Sequence, residues 1–344
     1  MKRTIKDIAE SCGVSIALVS RIMNGDNTLK FRPETREKVL REIEKQAYVP
    51  DFSARRLANH SLKSPNDIRI GYITYKGAEM QVNAYFDRII EGIKSVLDKE
   101  NYQVTRFYVD EVVALFREGK PLADKRFDGM ILFGDLPDKL MRYLSGYVKY
   151  FSSIYGQVRE DVDFVGVDLM TSMNTMLDYI KSLGYTRFGL VFGGDKRRDV
   201  VVNLYAEEIG LTLDDKYSFN GEYNYKQAYS EMAKLLSAGE KPPKIMCCMN
   251  DEMAIGVMDA LLEAGYSVPA DVSVTGHDDI LRSNYSKVSL TTLRIYKEEI
   301  GRLVTEMLLD RINHKRKFPV KVFLPSEVVV RRSTQKNMAG KNHE

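Results

Sequence analysis

Cysteine is scarce in this 344-residue chain, which carries only Cys12, Cys247 and Cys248. An odd number without metal-ligand partners at a useful spacing argues against a disulfide framework or a zinc site and suits a reduced, cytoplasmic protein. Long apolar runs are missing as well. None approaches the roughly 20 residues that cross a bilayer, and the first residues lack a secretory pattern, so no membrane association is expected. Catalytic signatures are equally absent: no Walker phosphate loop, no G-x-S-x-G elbow, no H-E-x-x-H and no G-x-G-x-x-G after the first strand-like run. The four histidines, at 60, 277, 314 and 343, are scattered. The expectation is therefore a protein that is not an enzyme, with no catalytic residues, no metal site and no cofactor.

A large net charge is the last thing missing, since the formal balance is only +3. Its distribution is more telling. Residues 1–60 hold 12 Lys and Arg against 8 Asp and Glu, which leaves the remainder about −1. Positive charge gathered at one end suits replacement of counterions along phosphates, although many solvated helices are as basic.

What is present at that end is TIKDIAESCGVSIALVSRIMN, residues 4–24, which spells two short amphipathic helices joined by a turn containing Gly13. Thr4 suits the cap of the first helix, with Ile5, Ile8 and Ala9 on its inner stripe, and Ser15 the cap of the second. In the second helix Val19 and Ile22 face inward beside Leu18, which leaves Ile16, Ala17, Ser20 and Arg21 outward, where a recognition helix meets base edges. Arg21 can donate two hydrogen bonds to a guanine or contact a phosphate. Taken alone, the segment could equally join two core helices. A third helix is expected over FRPETREKVLREIEKQAY, residues 31–48, with Pro33 in its first turn and Val39, Leu40 and Ile43 at helical spacing. After Pro50, residues 53–59 suit a short helix bearing Arg55, Arg56, Leu57 and Ala58. An apolar residue beside arginines is the composition of a minor-groove wedge, and also of an ordinary basic linker.

From residue 68 the chain alternates strand-like runs (IRIGYITY, VTRFYVD, FDGMILFG, VKYFSSI, FVGVD) with helical ones, and the alternation repeats from 170 to about 290. That pattern predicts two successive α/β halves built on parallel sheets, with a cleft between them. The tail from Leu290 to Arg331 is expected to hold one long helix and two further strands. In such sheets ligands bind beyond the carboxyl ends of strands, which singles out Asn250 and Asp251 after KIMCCM, and Asp278 and Asp279 after VSVTGH. Asp251 is also a good helix cap and Asp279 a loop former.

Together DIAESCGVS, VSRIMN, TREKV, YVP and ARRLA resemble, in order and spacing, the headpiece and hinge of the lactose repressor and galactose repressor family, and the likeness runs from Thr4 to about Thr334. Within that family NTLKFRPETREKV, TTLRIYKEEIG and VFLPSEVVVRRST resemble the evolved beta-galactosidase repressor type. The resemblance implies a small all-α helix-turn-helix headpiece (1–48), a hinge helix and linker (49–67), and an α/β two-lobed core like the periplasmic sugar-binding proteins. The lobes would be 68–164 with 294–322 and 165–293 with 323–334, followed by a disordered tail, 335–344. It further implies DNA contacts from Thr4, Ser15, Ile16, Ala17, Ser20, Arg21, Asn24, Arg55, Leu57 and Ala58, and effector contacts from Tyr75, Tyr223, Asn250 and Asp278.

Two departures from the family pattern stand out. Val201 occupies the position of an arginine that clamps effector hydroxyls, with Arg197 or Arg198 on the preceding loop as substitutes of different spacing, and Ser153 stands where many relatives carry aspartate. The implied function is a dimeric regulator of a sugar-utilisation operon, possibly for beta-galactosides, that binds a palindromic double-stranded operator and is released by a sugar in the cleft. The alternatives are a regulator answering to a non-sugar metabolite or a protein partner, or one with no effector.

Overall fold

The central strand-like runs IGYIT, GMILF and IMCC are buried along their length because each is covered on both faces, as parallel sheets between helix layers must be, whereas the edge run QVTRFY stays largely exposed. In a computed structural model that describes residues 5–23, 33–45, 67–75, 83–100, 102–124, 126–156, 158–194 and 196–337, the two compact units are Met1–Lys63 and Ser64–Glu344. The second unit contains two six-stranded sheets, ordered β11-β5-β4-β3-β1-β2 and β12-β10-β9-β8-β6-β7.

The first sheet is built from β1 (Arg69–Thr74), β2 (Gln103–Tyr108), β3 (Phe127–Phe133), β4 (Val148–Ile154), β5 (Asp163–Val167) and β11 (Lys321–Leu324), all paired in parallel. Alternation decides which core each side chain joins. Ile70, Tyr72, Ile131 and Phe133 pack on one face with Phe86, Ile89 and Ile93 of the helix Asn83–Leu97 and with Val304 and Leu308 of the helix Lys297–His314. Ile73, Met130 and Leu132 point the other way, to Val112, Leu140 and Leu144 of the helices Val109–Arg117 and Asp138–Ser145. The helices Asn83–Leu97 and Lys297–His314 touch backbone to backbone. A Cβ at Gly92 would lie 2.1 Å from the Glu298 carbonyl oxygen, and one at Gly301 would lie 2.0 Å from that of Ile89.

The second sheet holds β6 (Arg187–Phe192), β7 (Thr212–Asn220), β8 (Ile245–Cys248), β9 (Ser273–Asp278), β10 (Thr291–Arg294) and β12 (Glu327–Val329). Its only antiparallel pair among the described residues is β10 with β12. Three segments therefore pass between the sheets, at 168, at 295–296 and at 325–326. The expected lobe limits at 164 and 322 cut through β5 and β11, whose mutual pairing keeps both strands whole in the first sheet. The tail from Leu290 contributes three strands instead of two, because TTLR pairs alongside β9 as β10. Gln335 and Asn337, expected to be disordered, are anchored: Asn337 N donates to the Leu183 carbonyl at 2.8 Å, and Gln335 N to Ser273 Oγ at 3.3 Å.

In the first unit, helices Ile5–Cys12, Ile16–Met23 and Pro33–Lys45 bury Ile8, Ala9, Cys12, Val19, Ile22 and Val39 together. The third helix is described over a shorter span than 31–48, and Leu40 lies outward, 44% exposed, one position past the buried stripe set by Val39. Expectations for residues 49–66 lie outside the described residues.

Candidate functional site

Between the first two helices Gly13 takes φ +64°, a conformation side chains resist, and lets Gly13 N donate to Glu10 O at 3.1 Å and Val14 N to Ala9 O at 3.0 Å. Ser15 then caps the second helix, its Oγ accepting from Leu18 N at 3.2 Å. With Val19 and Ile22 turned into the core, Ser15, Ile16, Ala17 and Arg21 are exposed and Ser20 half-buried. Ile16, apolar and at the start of the capped helix, is 47% exposed. Thr4, Asn24, Arg55, Leu57 and Ala58 lie outside the described residues.

In the second unit a cavity of about 460 Å³ opens at the carboxyl ends of the strands of both sheets. The order of each sheet reverses at its first strand, β1 between β2 and β3 and β6 between β7 and β8, which is where neighbouring loops diverge and leave a crevice. Tyr75 after β1, Asp135 after β3 and Tyr155 after β4 line the cavity from the first sheet. Tyr223 after β7, Asn250 after β8 and Asp278 at the end of β9 line it from the second. All four expected effector residues, Tyr75, Tyr223, Asn250 and Asp278, thus meet in one cavity.

Each is held by its element. Asn250 is the N-cap of the helix Asp251–Glu263, its Oδ1 accepting from Met253 N at 2.9 Å while its Nδ2 donates to the Tyr223 carbonyl at 3.2 Å. The Tyr223 ring lies over Gly193, where a Cβ would come within 2.1 Å of the ring. Asp278 takes φ +123°, and its Oδ1 is 3.1 Å from Nδ1 of His277, whose Nε2 is 3.3 Å from Ser172 Oγ. Burial, with Asp135 second, pushes the Tyr75 hydroxyl above its ordinary value, so it stays a neutral donor.

The two neighbours turn away. Asp251, considered above as a helix cap, is fully buried and accepts from Ile280 N at 2.9 Å and Ser283 Oγ at 2.6 Å; the cap is Asn250. Asp279 is held by Arg294 at 2.7 Å and Arg331 at 2.5 Å.

The amino-terminal segment, residues 4–51, matches "Bacterial regulatory proteins, lacI family", and residues 177–334 match "Periplasmic binding protein-like domain". Over 346 residues the chain is 30% identical to the HTH-type transcriptional repressor MelR of Bacillus subtilis (strain 168), covering 96% of each. The chain belongs to the lacI family of bacterial regulatory proteins. Among solved structures it is similar to a transcriptional regulator CelR–cellobiose complex (TM-score 0.67, 22% identity, 96% of this chain and 100% of that one). It is also similar to a lac repressor dimer bound to operator and the anti-inducer ONPF (TM-score 0.63, 23% identity, 97% and 100%). At those identities the likeness shows the fold, a lacI headpiece followed by a two-sheet core. Its family and its curated relatives are transcriptional repressors, not enzymes.

Within this lacI-family chain the two departures acquire a setting. Ser153 does not face the cavity: it is buried and donates to the Asp163 carbonyl at 3.3 Å, so the residue type at 153 does not set the lining. The carboxylate on that side is Asp135, which sequence reading passed over because the residue follows the GMILF strand without a motif of its own. Val201 lies on the helix Lys196–Glu208, and the side chains of 196–199 and 201 lie outside what is described. Among the described lining residues there is no lysine or arginine, while Asp135, Glu222 and Asp278 are acidic.

Proposed function

We propose that this protein is a dimeric, sequence-specific transcriptional repressor of a sugar-utilisation operon, with an uncharged sugar as the effector that closes the core and releases the operator. The observation that carries the reading is one chain joining a capped helix with Ile16, Ala17 and Arg21 outward to a 460 Å³ cavity lined by tyrosines, carboxylates and an amide. Tyrosine faces suit the apolar face of a pyranose, and carboxylate and amide groups suit hydroxyls that both donate and accept. The lac repressor dimer bound to operator and the CelR–cellobiose complex share this fold and support both halves of the reading. Two headpieces related by a dyad would read a palindrome, with Leu57 as the expected minor-groove wedge at its centre. Access to an operator implies a cytoplasmic location, and no helix among the described residues is long and apolar enough to cross a membrane.

The effector half is tested by thermal shift of the purified protein against mono- and disaccharides, galactosides included, followed by operator release with each hit. A sugar at about 100 times its Kd should stabilise the protein by about 2.7 kcal/mol and weaken DNA binding. Stabilisation by none of them, with tight operator binding intact, would move the search to other metabolites or a protein partner. For the headpiece, Arg21→Ala should reduce specific binding by about 1–3 kcal/mol and nonspecific binding far less. Equal losses in a filter-binding assay would remove Arg21 from base readout.

A further inference from the structure

Lys297 opens the helix Lys297–His314 and is only 5% exposed. Its Nζ donates to the carbonyl oxygens of Asp278, of Asp279 at 3.2 Å and of Ile295 at 3.1 Å. Those three acceptors use all three ammonium hydrogens. The group thus bonds backbone positions, not a carboxylate, and does so just behind the cavity wall, where Asp278 and Ile295 are both lining residues.

The two ends of this grip belong to different lobes. The helix carrying Lys297 is locked to the first lobe through the Gly92 and Gly301 backbone contacts and the 2.9 Å ion pair between Arg88 and Glu298. Two of the three carbonyls, those of Asp278 and Asp279, lie at the end of β9 in the second sheet, where these residues take φ +123° and +53°, and the third, of Ile295, is in the crossing segment that leads into the helix. Side chains rarely hold such values unless their surroundings impose them. On its other side the segment is pinned through Asp279 to Arg294 and Arg331, and through Ile280 N to Asp251. The Asp278 carbonyl that accepts from Nζ and the Asp278 carboxylate at the cavity belong to one residue, so a backbone shift at Asp278 on ligand engagement is felt at Nζ.

We propose that Lys297 is a positioning residue that ties the cavity-lining Asp278 segment of the second lobe to the first lobe, so that a small molecule engaging Asp278 acts on both lobes at once. This rests on the ligand-binding reading of the cavity. Loss of the ammonium would remove its bonds to the Asp278 and Asp279 carbonyls, while the Ile295 carbonyl keeps the Lys297 backbone N–H at 2.9 Å, and let the segment relax from its left-handed conformation.

The test compares full-length wild type, Lys297→Met and Lys297→Arg. Without any ligand, hydrogen exchange followed by mass spectrometry should show the amides of 278–283 opening about tenfold faster in Lys297→Met, with β6 and β8 unchanged and Lys297→Arg restoring protection. Wild-type exchange at 278–283 in Lys297→Met would overturn the proposal. Should that variant not fold, Lys297→Gln, which keeps two donors, is read in the same way. Next, cellobiose, lactose and melibiose are titrated onto each protein with an operator fragment present. The ratio of operator affinity without and with saturating sugar should fall at least about fivefold in Lys297→Met, a change that simple destabilisation does not produce. An unchanged ratio would overturn the coupling. If none of the three sugars binds wild type, that failure counts against the disaccharide form of the effector reading and not against Lys297, and the exchange result decides the Lys297 proposal by itself.

Discussion

Asn250 serves the helix and the cavity with opposite ends of one amide, since Oδ1 caps the helix and Nδ2 holds the Tyr223 carbonyl. The two uses separate by substitution. Asn250→Ser keeps a capping oxygen and should stay within about 0.5 kcal/mol of wild type, whereas Asn250→Ala should lose about 1 kcal/mol in urea unfolding. Both should weaken ligand binding, and wild-type affinity in Asn250→Ser would confine the residue to its cap. Asp251 gives a pH dependence. Burial first, then the neighbouring Asp278 carboxylate, pushes its carboxyl up to about 7. Because this lies above the unfolded carboxylate value of about 4, the folded state binds the proton more tightly; the stabilisation is complete below about pH 4 and is lost as pH rises through about 7. Thermal unfolding of Asp251→Asn should therefore show a flatter decline between about pH 4 and 7, and an unchanged slope would assign the decline to other groups. At this scale the sequence singled out Tyr75, Tyr223, Asn250 and Asp278, but not Asp135 or Lys297. A carboxylate two residues past a strand and a lysine opening a helix look like any surface charge until the lobes are brought together.

Elements were legible where burial is uniform. GMILF and IMCC sit between helix layers, so their unbroken apolar runs read directly as the bodies of β3 and β8. The short helices Val109–Arg117 and Asp138–Ser145 were not marked out in advance, because eight or nine residues offer few turns over which a period can show. TTLR was not counted as a strand because four residues, half of them threonine, become β10 only through pairing with β9 and β12. The contact between the helices Asn83–Leu97 and Lys297–His314 is the element-level feature most sensitive to one atom. Gly301→Ala places a methyl against the Ile89 carbonyl and should destabilise the core near the upper end of the about 1–3 kcal/mol typical of overpacking. A urea midpoint within error of wild type would mean that the helices separate at little cost.

For the whole molecule, the closed face of the helix Asn83–Leu97 matters to assembly. Its Gly92 side is already filled by Lys297–His314 of the same chain, so any contact this helix makes in a dimer must use its remaining surface. Equilibrium sedimentation should give a dimer at micromolar protein, and a monomer that still binds a palindrome tightly would rule against dyad-related headpieces. The sequence by itself determined the helix-turn-helix, the alternation of buried strands and helices, and the family, because periodicity, caps and motif order are properties of neighbouring residues. Only the tertiary structure decided that Asn250 and Asp278 face the cavity while Asp251 and Asp279 face inward partners, that Asp135 supplies the carboxylate absent at Ser153, and that Lys297 grips the opposite lobe. Such relations depend on a core whose hydrogen bonds join residues as far as 162 positions apart, Lys321 to the Arg159 carbonyl among them, and are set by how two sheets share three crossing segments, which no local pattern encodes.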